Sequence, residues 1–145
     1  MPTEPTINNA LISLSRSFLQ YVAESWPWVD VDAQQVEDQL QVLAARQRQD
    51  VGDIVQLLTD RDWFIDFGTY PTEYTDLHFI SLASIFDWLL NGQSQIADRL
   101  AEALTSLKEA GDTAASELLE TVALRQNDLA SAIKELQQEL AGSAA

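Results

Sequence analysis

Three apolar stripes in this chain are interrupted by polar residues at about the same height. After Leu40 and Leu43, one stripe passes through Gln47 and Asp50. After Leu89 the next meets Gln93, beside Asn91 and Gly92. After Val122 the last meets Arg125 or Gln126, with Asp128 one turn on. Each interruption falls near the middle of its segment. In a bundle the positions therefore meet in one layer, whichever way the helices point. Polar groups in a core are costly unless paired. An Asp50–Arg125 ion pair, supported by Gln47 and Gln93, would satisfy them. Such a layer either fixes helix register, as buried polar residues do in coiled coils, or forms a site for a small ligand.

A second concentration of chemistry lies in DWFIDFGTYPTEYTDLHF, where Trp63, Phe64, Phe67, Tyr70, Tyr74 and His78 crowd a stretch without helical period. A loop this long must pack down or lose entropy without return. The rings are expected to pin it to the helices, or else to line a ligand pocket or partner surface. His78 is the sole histidine. With no G-x-S-x-G nucleophile motif to accompany it, it reads as a packing residue of the following helix. Paired carboxylates at Glu117 and Glu120, and at Glu135 and Glu139, fall on outward helical faces and read as solvated surface. Trp88 lies off the main stripe of its helix, which suits an interface.

Four long helices must position these groups. Ile7, Leu11, Leu14, Phe18, Tyr21 and Val22 recur at three- and four-residue spacing and predict a first helix over about 5–25. Val36, Leu40, Leu43, Val51, Ile54 and Leu58 predict a second over 32–61. Leu82, Phe86, Leu89, Ile96, Leu100, Ala103 and Leu107 predict a third over 76–110. Ala115, Leu118, Val122, Leu129, Ile133, Leu136 and Leu140 predict a fourth over 113–141. Gly111 suits a helix C-terminus and Asp112 the cap of the next helix. Residues 62–75 form a crossover of about 14 residues, which reaches ~46 Å when extended. The second helix is ~44 Å long at 1.5 Å per residue. The crossover thus spans the bundle, and the expected topology is up-down-down-up in a single all-α domain over 1–145.

Composition narrows the function classes. The 145 residues carry 23 acidic and 8 basic side chains, a net charge of −15. Phosphate backbones and anionic membranes would be repelled, so neither nucleic acid nor membrane is an expected partner. There is no cysteine, which excludes disulfides and thiolate chemistry. The start, MPTEPT, has neither a basic nor an apolar signal region. The longest apolar run, Phe79 to Leu90, is broken by Asp87 and is about half the ~20 residues that span a bilayer. A cytoplasmic protein is expected.

The four helices, the long crossover and the polar mid-layer together resemble the ferritin-like bundle family. That family builds a di-iron site from one Glu on each of two helices and a Glu-x-x-His on each of the others. At the corresponding height this chain offers Gln47-x-x-Asp50, Gln93 and Arg125-x-x-Asp128, and no Glu-x-x-His occurs. A guanidinium at a ligand position repels a metal ion. The resemblance therefore implies the fold without the di-iron site, and no metal or other cofactor. The stretch YPTEYTDLHFISL is also similar to small bacterial helical proteins, a likeness that carries no function.

The expected function is a non-enzymatic scaffold or interaction bundle. Its partner would be a second copy of the chain or a protein with a basic surface. The alternatives are a small-ligand module that uses the crossover rings and the polar layer, an acidic inhibitor of a basic protein, and a divergent ferritin-like metalloprotein.

Overall fold

The helical periodicities become five α-helices in the computed structural model, which describes residues 2–26, 31–79 and 81–143, with 31, 32, 76–79 and 143 as backbone alone. Trp28 and the side chain of His78 lie outside the described residues. Among those described there is no strand, and no helix is long and apolar enough to cross a membrane.

The first predicted helix is two helices, α1 (Glu4–Ser15) and α2 (Phe18–Glu24). Pro5 sits in the first turn of α1, where its missing N–H costs nothing. The break follows from Ser17, whose hydroxyl accepts the backbone N–H of Gln20 at 3.3 Å and starts a new helix. Ser17-Phe18-Leu19-Gln20 has the spacing of a capping box, a signal that the continuous apolar stripe had masked. Because α2 is enclosed by neighbours, Phe18, Leu19, Gln20, Tyr21 and Val22 are all buried.

The α3 helix (Val31–Asp60) ends in a Schellman turn. Trp63 N–H reaches Leu58 O at 3.0 Å and Asp62 N–H reaches Thr59 O at 3.0 Å. Asp62 takes the left-handed position at φ 55°, which an aspartate tolerates. The third predicted helix starts later than residue 76, at the first member of its apolar stripe. Residues Thr72–Phe79 form a 3₁₀ stretch, and α4 (Leu82–Glu109) begins behind Ser81, which accepts Ser84 N–H at 3.2 Å. Gly111, at φ 74°, ends α4 as expected. Asp112 then caps α5 (Thr113–Ser143) by accepting Ala115 N–H at 3.2 Å.

The core has two apolar clusters. One joins Phe18 and Val22 of α2 to Leu40 and Leu43 of α3, Phe86 and Leu89 of α4, and Leu129 and Ile133 of α5. The other joins Ile7, Leu11 and Leu14 of α1 to Ile54 and Leu58 of α3, Leu100 and Leu107 of α4, and Leu119 and Val122 of α5. The early half of α3 thus packs with the early half of α4 and the late half of α5. Residues 47, 50, 93 and 126 fall between the two clusters in sequence on every long helix.

The crossover lies along α1, and polar groups hold it there. Asn8 brackets Asp66: its amide donates to Asp66 O at 2.8 Å and its carbonyl accepts Asp66 N–H at 3.0 Å. Ser15 Oγ donates to Phe67 O at 3.2 Å, and Arg16 Nε to Phe67 O and Gly68 O, each at 3.1 Å. Gly68 is required where it stands. At φ +70° its backbone passes so close to α1 that a Cβ would meet Ile12 Cγ2 at 2.8 Å. The expectation that the rings do the pinning is half corrected. Tyr70 and Tyr74 pack inward against Tyr21, at 5.3 and 5.4 Å between ring centroids. Trp63, Phe64 and Phe67 point outward, with Phe64 91% exposed. Backbone pinning by Asn8, Ser15 and Arg16 removes the need for those three rings to anchor the strap.

Candidate functional site

The polar layer is built from Ser17 and Gln20 at the α1–α2 break, Gln47 and Asp50 of α3, Gln93 of α4 and Gln126 of α5, all of them buried. An unpaired polar group at such depth costs about 1–3 kcal/mol, so the pairing decides whether the layer is tolerable. Gln47 is its hub. Its Oε1 accepts from Ser17 Oγ at 2.7 Å and from Gln20 Nε2 at 3.0 Å. Its Nε2 donates to Gln93 Oε1 at 3.1 Å and to Gln126 Oε1 at 3.0 Å. Gln20 Nε2 also donates to Ala44 O at 2.9 Å. The hub's hydrogen-bonding capacity is filled.

The bonds have a direction. Arg48 Nη1 donates to Gln20 Oε1 at 3.1 Å, and Gln20 donates to Gln47. Gln47 donates to Gln126, and Gln126 Nε2 donates to Asp50 Oδ2 at 2.7 Å. Three amides thus stand head to tail between a guanidinium and a carboxylate. Each polarises the next, which strengthens the chain cooperatively. Asp50 Oδ1 accepts from Arg125 Nη1 at 2.9 Å, and the same nitrogen also reaches Asp53 Oδ2 at 3.1 Å.

Asp50 is the only ionisable group at the core of this layer, with a side chain 3% exposed against 48% for Arg125. Burial pushes its carboxyl above the usual range. The hydrogen bond and charge of Arg125 oppose that push, and the nearby Asp53 adds to it. The pair opens on a shallow cleft of about 440 Å³ lined by Arg46, Gln49, Asp53 and Leu129. One end of the layer therefore communicates with the surface through a half-exposed arginine.

Of the positions singled out by the broken stripes, the structure brings Gln47, Asp50, Gln93 and Arg125 together. Asp128 stays on the exposed face of α5 and makes no contact with the layer. The buried member there is Gln126, because the stripe Val122, Gln126, Leu129, Ile133 leaves position 128 about 200° round the helix at 100° per residue. Ser17 and Gln20 escaped the stripe reading, since a continuous first helix did not place them at a core break. Glu117, Glu120, Glu135 and Glu139 are exposed, as the helical pattern requires. Among the described residues no three His, Cys, Asp or Glu side chains cluster as metal ligands. No family model and no curated protein matches the chain.

Proposed function

We propose that this chain is a protein-interaction bundle that presents its crossover to a partner. One observation carries the reading: Trp63, Phe64 and Phe67 are exposed on a strap whose backbone is fixed to α1 by five side-chain hydrogen bonds. Large rings on a rigid support are the kind of residue that anchors interfaces, because little conformational entropy is lost on docking. With a net charge of −15, the complementary surface is basic. In this reading the α1–α2 pair, α3, α4 and α5 form a four-layer bundle in up-down-down-up order, with ferritin-like ancestry. The membership of the two core clusters supports that order. The polar layer then serves as a register device: its amide chain closes only when α2, α3 and α5 hold one relative height, and Gln93 of α4 meets Gln47 at that same height.

The test is chromatography of the chain, alone and with a basic partner candidate, at low and high salt. Replacing Trp63, Phe64 and Phe67 with Ser is expected to abolish association and leave the thermal transition within about 1 kcal/mol of the parent, as for other exposed sites. Association unchanged in the triple variant would remove the crossover from the interface. Association indifferent to salt would remove the basic partner.

A further inference from the structure

The α1–α2 break leaves a cavity of about 230 Å³ between the crossover and α4, lined among others by Arg16, Arg99, Tyr74, Trp88, Asn91 and Gln95. Its apolar wall is a row of rings. Phe18 stands between Tyr74, at 5.2 Å and edge-on, and Trp88, at 6.2 Å. Its polar wall holds two guanidinium groups and two amides. Arg16 is fixed in place by Nε on the crossover carbonyls and by its position 4.9 Å over the Tyr70 ring. Arg99 makes no hydrogen bond or ion pair among the described residues. Arg46 and Lys134, exposed like Arg99, share that state among the described residues; what sets Arg99 apart is its place in this lining. The single carboxylate of the lining, Glu73, lies beyond ion-pair distance of both arginines.

We infer that this cavity is a binding site for a small planar organic carboxylate, with its ring against Phe18, Tyr74 and Trp88 and its carboxylate on Arg16 and Arg99. Size supports this class. An apolar cavity of about 150 Å³ takes benzene, so this one has room for a ring and one carboxylate but not for a drug-sized ligand, which needs roughly 300 Å³ or more. Guanidinium groups match a carboxylate in shape as well as charge. Gly92 lies in the lining beside Phe18, where an added Cβ would stand in ordinary contact with Phe18 Cβ at 3.7 Å. Trp63, Phe64 and Phe67 are not in its lining, so the inference does not depend on the interaction reading.

The experiment is a titration of the full chain with benzoate, followed by ¹H–¹⁵N correlation spectra. The Trp88 indole N–H and the Arg99 Nε–H signals are expected to move and saturate. Arg99→Gln, at an exposed position without a partner, leaves the fold intact and should weaken binding at least tenfold. Methyl benzoate, which lacks the charge, should move neither signal. The proposal is overturned if benzoate gives no saturating shift by about 10 mM, ten times a weak millimolar Kd. It is equally overturned if Arg99→Gln binds as well as the parent, or if inorganic phosphate reproduces the benzoate shifts at the same concentration.

Discussion

Asp50 and Asp112 each accept a hydrogen bond from an arginine, at 2.9 and 2.7 Å, yet their carboxyls are displaced in opposite directions. Asp112 sits where the start of α1, the end of α3 and the start of α5 converge. It receives both Nη groups of Arg61, the Thr3 hydroxyl and the Ala115 backbone N–H. Those donors, Arg61 first, hold its carboxyl far below the usual range. Asp50 has a single nitrogen of Arg125 and one amide, and is nearly sealed from water. Burial wins there, and the carboxyl rises. An ion pair stabilises a charge only when its donors outweigh the water it displaces. The end clamp meets that condition; the middle layer offsets its burial through the amide chain instead.

The comparison is broken most severely at the hub. Gln47→Leu leaves Ser17, Gln20, Gln93 and Gln126 each short of a partner, and the loss is expected to be on the order of 3–5 kcal/mol, read as a lower urea midpoint. A loss below about 1 kcal/mol would mean that the layer repacks freely and sets no register.

The two carboxylates separate under pH. Asp112 is depressed in the folded state, so its stabilisation is complete above the unfolded value near 3.9 and is lost as pH falls through the folded value. Asp112→Asn, which also weakens the α5 cap, should cost about 1–3 kcal/mol at neutral pH and flatten the decline below pH ~4. Asp50 is raised, so the signs reverse. Its contribution is complete below about 3.9 and fades as pH rises through its folded value. Asp50→Asn should therefore change stability by less than about 1 kcal/mol at neutral pH, since the buried charge disappears along with its arginine bond. Urea midpoints from pH 3 to 8 measure both, and parallel profiles for the two variants would contradict the contrast. At the small end, Asp128→Ala should stay within about 0.5 kcal/mol, as an exposed site outside both networks.

How much was readable in advance follows from the range of each signal. The Gly111–Asp112 junction was legible because a C-terminal glycine and an N-cap act within one turn. Gln47, Asp50 and Gln93 were legible because they break stripes that are otherwise apolar. The choice between Arg125 and Gln126 was not, since neighbouring helix positions differ by about 100° and only packing selects the buried one. The Ser17–Gln20 pattern was present but ambiguous, because Phe18, Tyr21 and Val22 also continue the earlier stripe. Among the crossover rings the sequence offered no periodicity to sort Tyr70 and Tyr74, which turn in, from Trp63, Phe64 and Phe67, which turn out.

The sequence by itself determined that this protein is helical, where most of its helices stop, and that polar residues sit at the midpoint of its apolar faces. These are properties of neighbours within a few residues. The tertiary structure alone decided that Gln47 meets Gln20 and Gln126, which stand 27 and 79 residues away. It also decided that the amides point from Arg48 toward Asp50 and that one aspartate is raised while the other is lowered. Hydrogen-bond direction and burial depend on which helices share a height, and no local pattern encodes that.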